Sequence, residues 1–345
     1  MTNALTIDVE EYFHATAFSS AVPPERLADL PMRAGEATRR LLDLLASRGI
    51  RATFFVLGWV AERDPGLVRA IREAGHEVAS HGYGHRPIRG DGRGDGRKDG
   101  RKEFIEDTDR SKKLIEDLIG EPVKGYRATT FSIVRETLWA LDVLAEMGFA
   151  YDSSIFPIRH DRYGIPDAPR FPHRHSSGLI EVPPGTARVL GQNVPIAGGG
   201  YFRLFPPSFT RWGIRRVNEK EKMPVVFYVH PWEVDPDQPR LPAGRLTRIR
   251  HYRNLDRTEE RLSDLLETFR FGTIGEMLEQ LAPQSMEPCS SLRPPHLDPL
   301  PPGGGEERKR EASYISSLSP VTGESMEPCS SLRPPHLDPL PLGGG

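Results

Sequence analysis

The sequence has little cysteine: Cys289 and Cys329 are the two cysteines among its 345 residues. The chain before them therefore has no disulfide and no thiolate ligand, so a metal bound there must be held by nitrogen and oxygen atoms. No run of 18 apolar residues occurs, which excludes a predicted membrane-spanning helix. The first residues, Met1 to Ala4, do not begin a basic region followed by an apolar segment, so we expect no signal peptide and a cytoplasmic location.

An excess of charge of either sign is also absent. The chain has 46 basic and 48 acidic residues, which gives a net charge of -2. This balance provides no general attraction to nucleic acid or anionic lipid, so we expect neither as a partner. A polyanionic partner would need a local basic patch.

Strand and helix patterns alternate along most of the chain. Residues 52–57 and 225–229 are apolar on both faces, which is typical of parallel strands covered by helices. Helices are predicted over residues 26–47 and 60–74, among others. The alternation predicts an α/β fold, most simply a closed or nearly closed (β/α) barrel, in a domain that spans residues 1–284.

Two regions break this alternation. Residues 90–102 are a low-complexity run of glycine, aspartate, arginine and lysine, and they predict a loop inserted into the domain. The stretch lacks the glutamate that closes an EF-hand loop, which argues against a calcium site. Residues 285–345 form a Pro/Gly-rich tail in which the segment 285–301 recurs at 325–341, and they predict disorder. A proline-rich docking motif is the alternative for the tail.

Two carboxylates mark the end of the first predicted strand. Asp8 and Glu10 are two residues apart, so the strand period places them on one face, with Val9 on the other. Adjacent carboxylates repel each other as anions. The pattern therefore indicates a cation or a shared proton beside them.

Two histidines follow the predicted strand at 76–80. His81 and His85 have the spacing that lets two imidazoles face one ion. Gly82 and Gly84 lie between them and each cost a helix about 1 kcal/mol relative to alanine, so a loop is favoured over a helical arrangement. The pair alone also fits two solvated side chains.

Arg127, Asp152 and His230 each lie at the end of a predicted strand. An arginine in such a place can orient a nearby carboxylate, and Pro231 ends the last strand so that His230 lies at the rim of the sheet. Taken singly, the three also fit an exposed arginine, a strand-end turn and a structural histidine. Their common position favours a role in an active site, because active sites of parallel α/β folds lie at the carboxyl ends of the strands.

Together these motifs resemble those of a known family, the NodB-homology polysaccharide deacetylases of carbohydrate esterase family 4. The resemblance covers about residues 3–282. More narrowly, the chain is similar to the deacetylases found with exopolysaccharide and exosortase gene clusters. The motifs that carry the resemblance are Thr6-Ile7-Asp8-Val9-Glu10, His81-Gly-Tyr-Gly-His85, Arg127-Ala-Thr-Thr-Phe131, Tyr151-Asp152-Ser-Ser and Val229-His230-Pro-Trp.

The resemblance implies a distorted (β/α) barrel with a divalent metal, most often zinc, bound by one carboxylate and two histidines. Carried over by position, Glu10, His81 and His85 would be the ligands, and Asp8 would be the general base. Many relatives have adjacent aspartates in the first motif, where this chain has Asp8-Val9-Glu10. The choice between Asp8 and Glu10 as the base therefore stays open.

The resemblance also assigns the remaining catalytic roles. His230 would protonate the leaving amine, and Arg127 would orient Asp8. Asp152 would raise the pKa of His230. The backbone N–H of Thr130 would stabilise the oxyanion of the tetrahedral intermediate.

The implied activity is hydrolysis of N-acetyl groups from an amino-sugar polysaccharide or oligosaccharide, in exopolysaccharide biosynthesis. Phe131, Tyr83 and Trp232 would offer apolar faces to the sugar rings, as would Phe156 and Tyr201, although aromatic residues of a barrel also build its core.

Two other functions stay open from the sequence. One is a related metal-dependent hydrolase of a small linear or cyclic amide, which would use the same residues. The other is a sugar-binding protein with a degenerate site. The unusual first motif favours this second alternative, as does Thr129, which stands where relatives often have proline.

Overall fold

The computed structural model describes residues 1–15, 18, 22, 24–90 and 100–281. Its strands are β1 (Asn3–Val9), β2 (Thr53–Val56), β3 (Glu77–Ser80), β4 (Gly125–Tyr126), β5 (Tyr151–Asp152), β6 (His173–Arg174), β7 (Ile180–Glu181), β8 (Thr186–Val189), β9 (Gln192–Pro195), β10 (Val226–Val229) and β11 (Phe271–Gly272). Its α-helices are α1 (Ala34–Ala46), α2 (Gly58–Arg63), α3 (Pro65–Glu73), α4 (Gly100–Ile119), α5 (Trp139–Glu146), α6 (Gly199–Leu204), α7 (Pro207–Arg216), α8 (Arg245–Tyr252), α9 (Leu255–Thr268) and α10 (Ile274–Gln280). The predicted tail at 285–345 lies outside the described residues, as do residues 91–99 of the predicted insert.

The main sheet has the strand order β10-β1-β2-β3-β4-β5-β7-β6, with β11 beside β1. Neighbouring strands are parallel from β10 through β7, and β6 is antiparallel to β7. A backbone hydrogen bond of 2.9 Å from Gly185 N to Val226 O joins the segment after β7 to β10, so the sheet curls back towards its other edge. The predicted α/β fold, a distorted (β/α) barrel, is confirmed.

The inward face of β1 carries both core and site residues. Ala4 packs in a buried cluster with residues of several other strands, among them Phe55, Ala79 and Val226. Because side chains alternate along a strand, Asp8 points to the same side as Ala4, four residues nearer the carboxyl end. The apolar cluster therefore fills the barrel below the site.

Two predicted helices differ from the observed ones because of proline. The helix predicted over 26–47 is a 3-10 turn at Pro24–Asp29 followed by α1, with Pro31 between them. The helix predicted over 60–74 is divided into α2 and α3 at Pro65, whose missing N–H suits a first helical position but not a helix interior. None of the helices in the described part of the chain combines the length and apolar character that a bilayer crossing requires.

Candidate active site

Asp8 is held by a buried arginine at the carboxyl end of β1. Arg127 Nη1 donates to Asp8 Oδ1 at 2.7 Å and to Thr6 Oγ1 at 2.7 Å. The other side of the guanidinium donates to Ser153, through Nε to the carbonyl at 3.1 Å and through Nη2 to Oγ at 2.8 Å. Both Arg127 and Asp8 are buried. A planar guanidinium bound on several sides is rigid, so it fixes the orientation of the Asp8 carboxylate.

Glu10 lies beside the two predicted metal-binding histidines. One ligand atom from each of Glu10, His81 and His85 lies within 4.8 Å of the others. Glu10 Oε2 is 3.8 Å from His81 Nε2 and 2.5 Å from His85 Nε2. Trp232 Nε1 donates to Glu10 Oε1 at 3.1 Å, which leaves Oε2 turned to the histidines. A hydrogen bond of this kind holds a metal-binding carboxylate in place.

His81 presents an unprotonated nitrogen to the group. Its Nδ1 is 2.7 Å from the carbonyl oxygen of Arg127, and because a carbonyl can only accept, Nδ1 carries the proton. Burial lowers the pKa of His81 to about 4, so the ring is neutral near pH 7. Its Nε2 lone pair is therefore available to a cation.

These three residues fit a divalent metal. His85 Nε2 and Glu10 Oε2 are 2.5 Å apart, a distance at which the nitrogen and the carboxylate oxygen need a proton or a cation between them. Burial opposes the ionisation of Glu10, yet the neighbouring His85 and His230 hold its pKa below its ordinary range. Two histidines and one carboxylate form a donor set typical of zinc sites that keep a coordination position open.

The histidine loop is wound around a carboxylate of α4. Asp107 accepts from the backbone N–H of Tyr83 at 2.6 Å and of Gly84 at 3.0 Å. Gly82 has a φ of 72°, and a Cβ atom there would lie 2.9 Å from Asp107 Oδ2. The loop predicted from the two glycines is therefore present, and Asp107 shapes it, a contribution that sequence reasoning missed.

His230 faces both carboxylates from the end of β10. Its Nε2 is 3.9 Å from Asp8 Oδ2 and 3.9 Å from Glu10 Oε1. Its Nδ1 is 3.0 Å from Glu233 Oε2, and Glu233 Oε1 accepts from Arg203 Nε at 2.6 Å. Glu233 thus holds the side of the ring that faces away from the carboxylates.

The predicted pairing of Asp152 with His230 is wrong, because Glu233 is the partner. Pro231 begins a 3-10 turn, Pro231–Val234, that brings the side chain three residues ahead back over His230. Burial would lower the pKa of His230, but its hydrogen bond to Glu233 and the nearby anions raise it to about 9. Burial would raise the pKa of Glu233, but Arg203 and His230 hold it at about 2. The spacing His-Pro-x-Glu, a capping-box arrangement, is the sequence signal that could have identified Glu233.

Asp152 instead supports the loop that follows β4. Its carboxylate accepts from Ser154 Oγ at 2.6 Å, and Ser154 Oγ accepts in turn from the backbone N–H of Ala128 at 2.7 Å. Ala128 leads directly into the turn in which Thr130 has a φ of 58° and Phe131 a φ of 52°. Backbone in this region costs a residue other than glycine about 1–3 kcal/mol, so the surrounding contacts must hold it.

A cavity of about 500 Å³ opens at this end of the barrel. Its lining includes Thr130 and Phe131 together with five residues of the site, namely Asp8, Glu10, His81, His85 and His230. Phe131 also packs against Phe156 and Tyr228, with ring centroids 5.3 and 5.2 Å away. The structure thus brings two of the predicted substrate-binding residues to the cavity.

Of the other two predicted sugar contacts, Tyr83 lies away from the cavity and Trp232 lines it. Tyr83 is not among the described residues that line the cavity: its hydroxyl donates to Glu62 at 2.7 Å, and the Arg110 guanidinium lies 3.6 Å from its ring centroid. Trp232 lines the cavity, but it is buried and its ring stacks between His230 and His251, at 4.9 and 4.2 Å. Its faces are therefore covered by histidines, and its N–H holds Glu10.

The comparisons with protein families divide the chain into two parts. Residues 29–151 match the family model described as polysaccharide deacetylase, and they contain His81, His85 and Arg127. Residues 153–279 match a domain of unknown function, DUF3473, and they contain His230 and Glu233.

Curated relatives match over shorter stretches. A peptidoglycan-N-acetylglucosamine deacetylase of Bacillus cereus is 42% identical over 50 residues, which cover 14% of this chain and 18% of the relative. A chitooligosaccharide deacetylase of Sinorhizobium fredii is 43% identical over 56 residues, 16% of this chain and 26% of the relative. A peptidoglycan deacetylase of Helicobacter pylori is 33% identical over 117 residues, 34% of this chain and 36% of the relative. The chain thus spans well under half the length of each.

Solved structures share the fold. A Mycobacterium smegmatis protein described as a polysaccharide deacetylase aligns with a TM-score of 0.54 at 20% identity, over 85% of this chain and 94% of that one. Puue allantoinase aligns with a TM-score of 0.50 at 16% identity, over 80% of this chain and 88% of that one. Residues 29–151 are thus similar to the polysaccharide deacetylase family, and the chain as a whole shares its fold with these solved structures.

Proposed function

We propose that the protein is a metal-dependent deacetylase that hydrolyses N-acetyl groups of an amino-sugar polymer. The observation that carries this proposal is the convergence of three groups on one cavity. These groups are the triad of Glu10, His81 and His85, the carboxylate of Asp8 fixed by its arginine, and His230. The relatives named above support an N-acetylated glycan as substrate, and the sequence resemblance supports an exopolysaccharide among such glycans.

Glu10, His81 and His85 would hold the metal, which their donor set suggests is zinc. When bound there, the ion would lower the pKa of a water molecule towards about 7 and polarise the acetamido carbonyl. The further steps belong to the side chains around it.

Asp8 is placed to act as the base. Arg127 occupies Asp8 Oδ1, so Oδ2 is the oxygen left to accept a proton, and Oδ2 is the one that faces His230 at 3.9 Å. Glu10 is turned to the histidines instead. These different surroundings favour Asp8 as base and Glu10 as ligand, the choice that the sequence leaves open.

His230 is placed to act as the acid. Its raised pKa keeps the ring protonated near pH 7, and its Nε2–H points to the space between the two carboxylates. The nitrogen of the reacting amide would take the proton from Nε2 as the C–N bond breaks. The backbone N–H of Thr130, on the strained turn at the cavity, would donate to the oxyanion. The products would be acetate and a free amino sugar.

The test is acetate release from chitooligosaccharides by the full chain, with and without a chelator. We expect chelation, or the substitution Glu10→Gln, to lower the rate by about a thousandfold, because a metal supplies several kcal/mol of transition-state stabilisation. Glu136→Gln, at an exposed position away from the cavity, is the matched control and should leave the rate unchanged.

The same assay distinguishes the proposed deacetylase from a hydrolase of small amides. The fold shared with Puue allantoinase is the observation that favours this alternative. Allantoin is offered in parallel with the oligosaccharides. Metal-dependent hydrolysis of allantoin without acetate release from any oligosaccharide would replace our proposal with the alternative. Acetate release that is insensitive to both chelation and Glu10→Gln would contradict the proposed metal site.

A further inference from the structure

Two arginines of the cavity wall have no carboxylate partner among the described residues. Arg162 and Arg250 both line the cavity and both are exposed. In the part of the chain that the structure describes, neither forms an ion pair with a carboxylate. The third arginine of the lining, Arg203, is in contrast buried and bound to Glu233.

Two of the three acidic residues that line the cavity are held by partners within the site. Asp8 is paired with Arg127, and Glu10 faces the two histidines. Asp161 Oδ1 is 3.0 Å from His160 Nδ1. Asp161 is exposed, and among the described residues no ion pair joins it to Arg162 or Arg250.

The positive charge is a local feature of this wall. Residues 240–253 contain five arginines and no acidic residue, although the whole chain has a net charge of -2. Within α8, the lining residues Thr247, Arg250 and His251 have the i, i+3, i+4 spacing of one helix face. One face of α8 therefore presents a guanidinium to the cavity.

The other arginine lies close to the same point. Burial lowers the pKa of His160, and after the opposing effect of Asp161 both Arg162 and Arg250 lower it further. His160 stacks on Tyr163, a lining residue, with ring centroids 3.9 Å apart. The two guanidinium groups thus act on one stretch of the cavity wall.

We propose that Arg162 and Arg250 bind an anionic substituent on a sugar of the substrate, which makes the preferred polymer an acidic N-acetylated glycan. Guanidinium groups bind carboxylate and phosphate oxygens through paired hydrogen bonds, so a uronic acid or a sugar phosphate would both fit. This inference rests on the proposed function, because it names the class of glycan that the same site accepts.

The test measures binding apart from turnover. Calorimetric titrations use the zinc-loaded full chain carrying Asp8→Asn, with chitotetraose as the neutral ligand and a hyaluronan tetrasaccharide as the carboxylate ligand. N-acetylglucosamine and its 6-phosphate form a second matched pair. Each ligand is titrated against the same protein with Arg162→Gln, Arg250→Gln or Arg248→Gln added. Arg248 is on α8 but does not line the cavity, so it is the control.

We expect the anionic member of at least one pair to bind more tightly than its neutral counterpart. Each of Arg162→Gln and Arg250→Gln should weaken that anionic ligand by roughly threefold to tenfold, leave the neutral ligand unchanged and reduce the salt dependence of binding. The pair that shows the preference identifies carboxylate or phosphate as the anion. Arg248→Gln should have no such selective effect.

Equal affinity for the neutral and anionic members of both pairs would overturn the inference. So would equal losses for neutral and anionic ligands in the arginine variants. Acetate release by the wild-type chain is measured separately on the two tetrasaccharides. Its absence on both would contradict the proposed function, while the binding ratios still decide whether the arginines recognise an anion.

Discussion

Asp8 and Glu10 are separated by one residue and differ by one methylene, yet their surroundings differ. Arg127 holds one oxygen of Asp8, whereas Trp232 holds one oxygen of Glu10 and leaves the other to the histidines. The strand period predicts that both face the same side, but it does not say which partner each will meet. Those partners come from β4 and from the turn after β10, which the fold alone brings together.

At the residue scale, Glu233 sets the proton affinity of His230. In Glu233→Gln the carboxylate that raises the pKa of His230 is gone while burial, which lowers it, remains. The folded-state pKa of His230 is above its unfolded value, so the stability that this group contributes is fully present below about pH 6.5 and is lost as the pH rises through about 9. The same protonated form is the acid of the proposed mechanism.

We therefore expect Glu233→Gln to move the basic limb of the kcat profile to lower pH by roughly one unit or more. The substitution also leaves Arg203 buried without its anion, so the free energy of unfolding should fall by about 3–5 kcal/mol. Acetate release across pH 6–10 and chemical denaturation measure the two effects, with Glu136→Gln as control. An unchanged basic limb in a folded variant would show that His230 is not the acid or that Glu233 does not tune it.

At the element scale, the turn Thr129–Phe131 depends on a neighbouring strand for its shape. Ser154, just after β5, receives the N–H of Ala128 and donates to Asp152. These contacts constrain the entry to a turn with two positive-φ residues. Asp152 thus acts on the candidate oxyanion donor instead of on His230.

Ser154→Ala should lower kcat while leaving the metal in place. The buried N–H of Ala128 loses its acceptor, which costs about 1–3 kcal/mol, and the turn is free to relax from its strained backbone. Acetate release and metal analysis on the same preparation check this, with the exposed Ser208→Ala as control. A variant with unchanged kcat, or one that loses its metal, would contradict this role of the turn.

The element boundaries show which local signals are readable. Pro65 and Asp64 mark the division between α2 and α3, since proline lacks an N–H and Asp64 Oδ1 accepts from Leu67 N at 3.0 Å. Both signals are present in the sequence. The prediction of one helix over residues 60–74 follows only the apolar period and leaves them out. Local chemistry, when given its weight, would have predicted this boundary.

At the scale of the whole molecule, the sequence predicts the barrel and the strand ends that carry Asp8, His81, Arg127 and His230. These are properties of short stretches, namely strand period and the position of polar residues after apolar runs. Contacts between side chains that are far apart in the sequence cannot be predicted in this way. Tyr83 contacts Glu62 and Arg110, which are 21 and 27 positions away in the sequence. These contacts hold its side chain away from the cavity.

The sequence also does not predict which faces of a side chain are buried by another element. Trp232 follows a strand end, as a sugar-stacking residue would, but the packing of α8 places His251 on one of its faces. The positive wall of the cavity likewise depends on α8 lying beside the segment around residue 160. Nothing in either stretch alone indicates that they meet.

The most direct test of the account is the metal content of four variants of the full chain, purified without chelator and analysed by elemental mass spectrometry with acetate release in parallel. We predict about one equivalent of divalent metal in the wild type and its loss in Glu10→Ala, His81→Ala and His85→Ala. Asp8→Asn should keep the metal and lose activity. Retention of metal by Glu10→Ala together with its loss from Asp8→Asn would contradict the assignment of ligand and base.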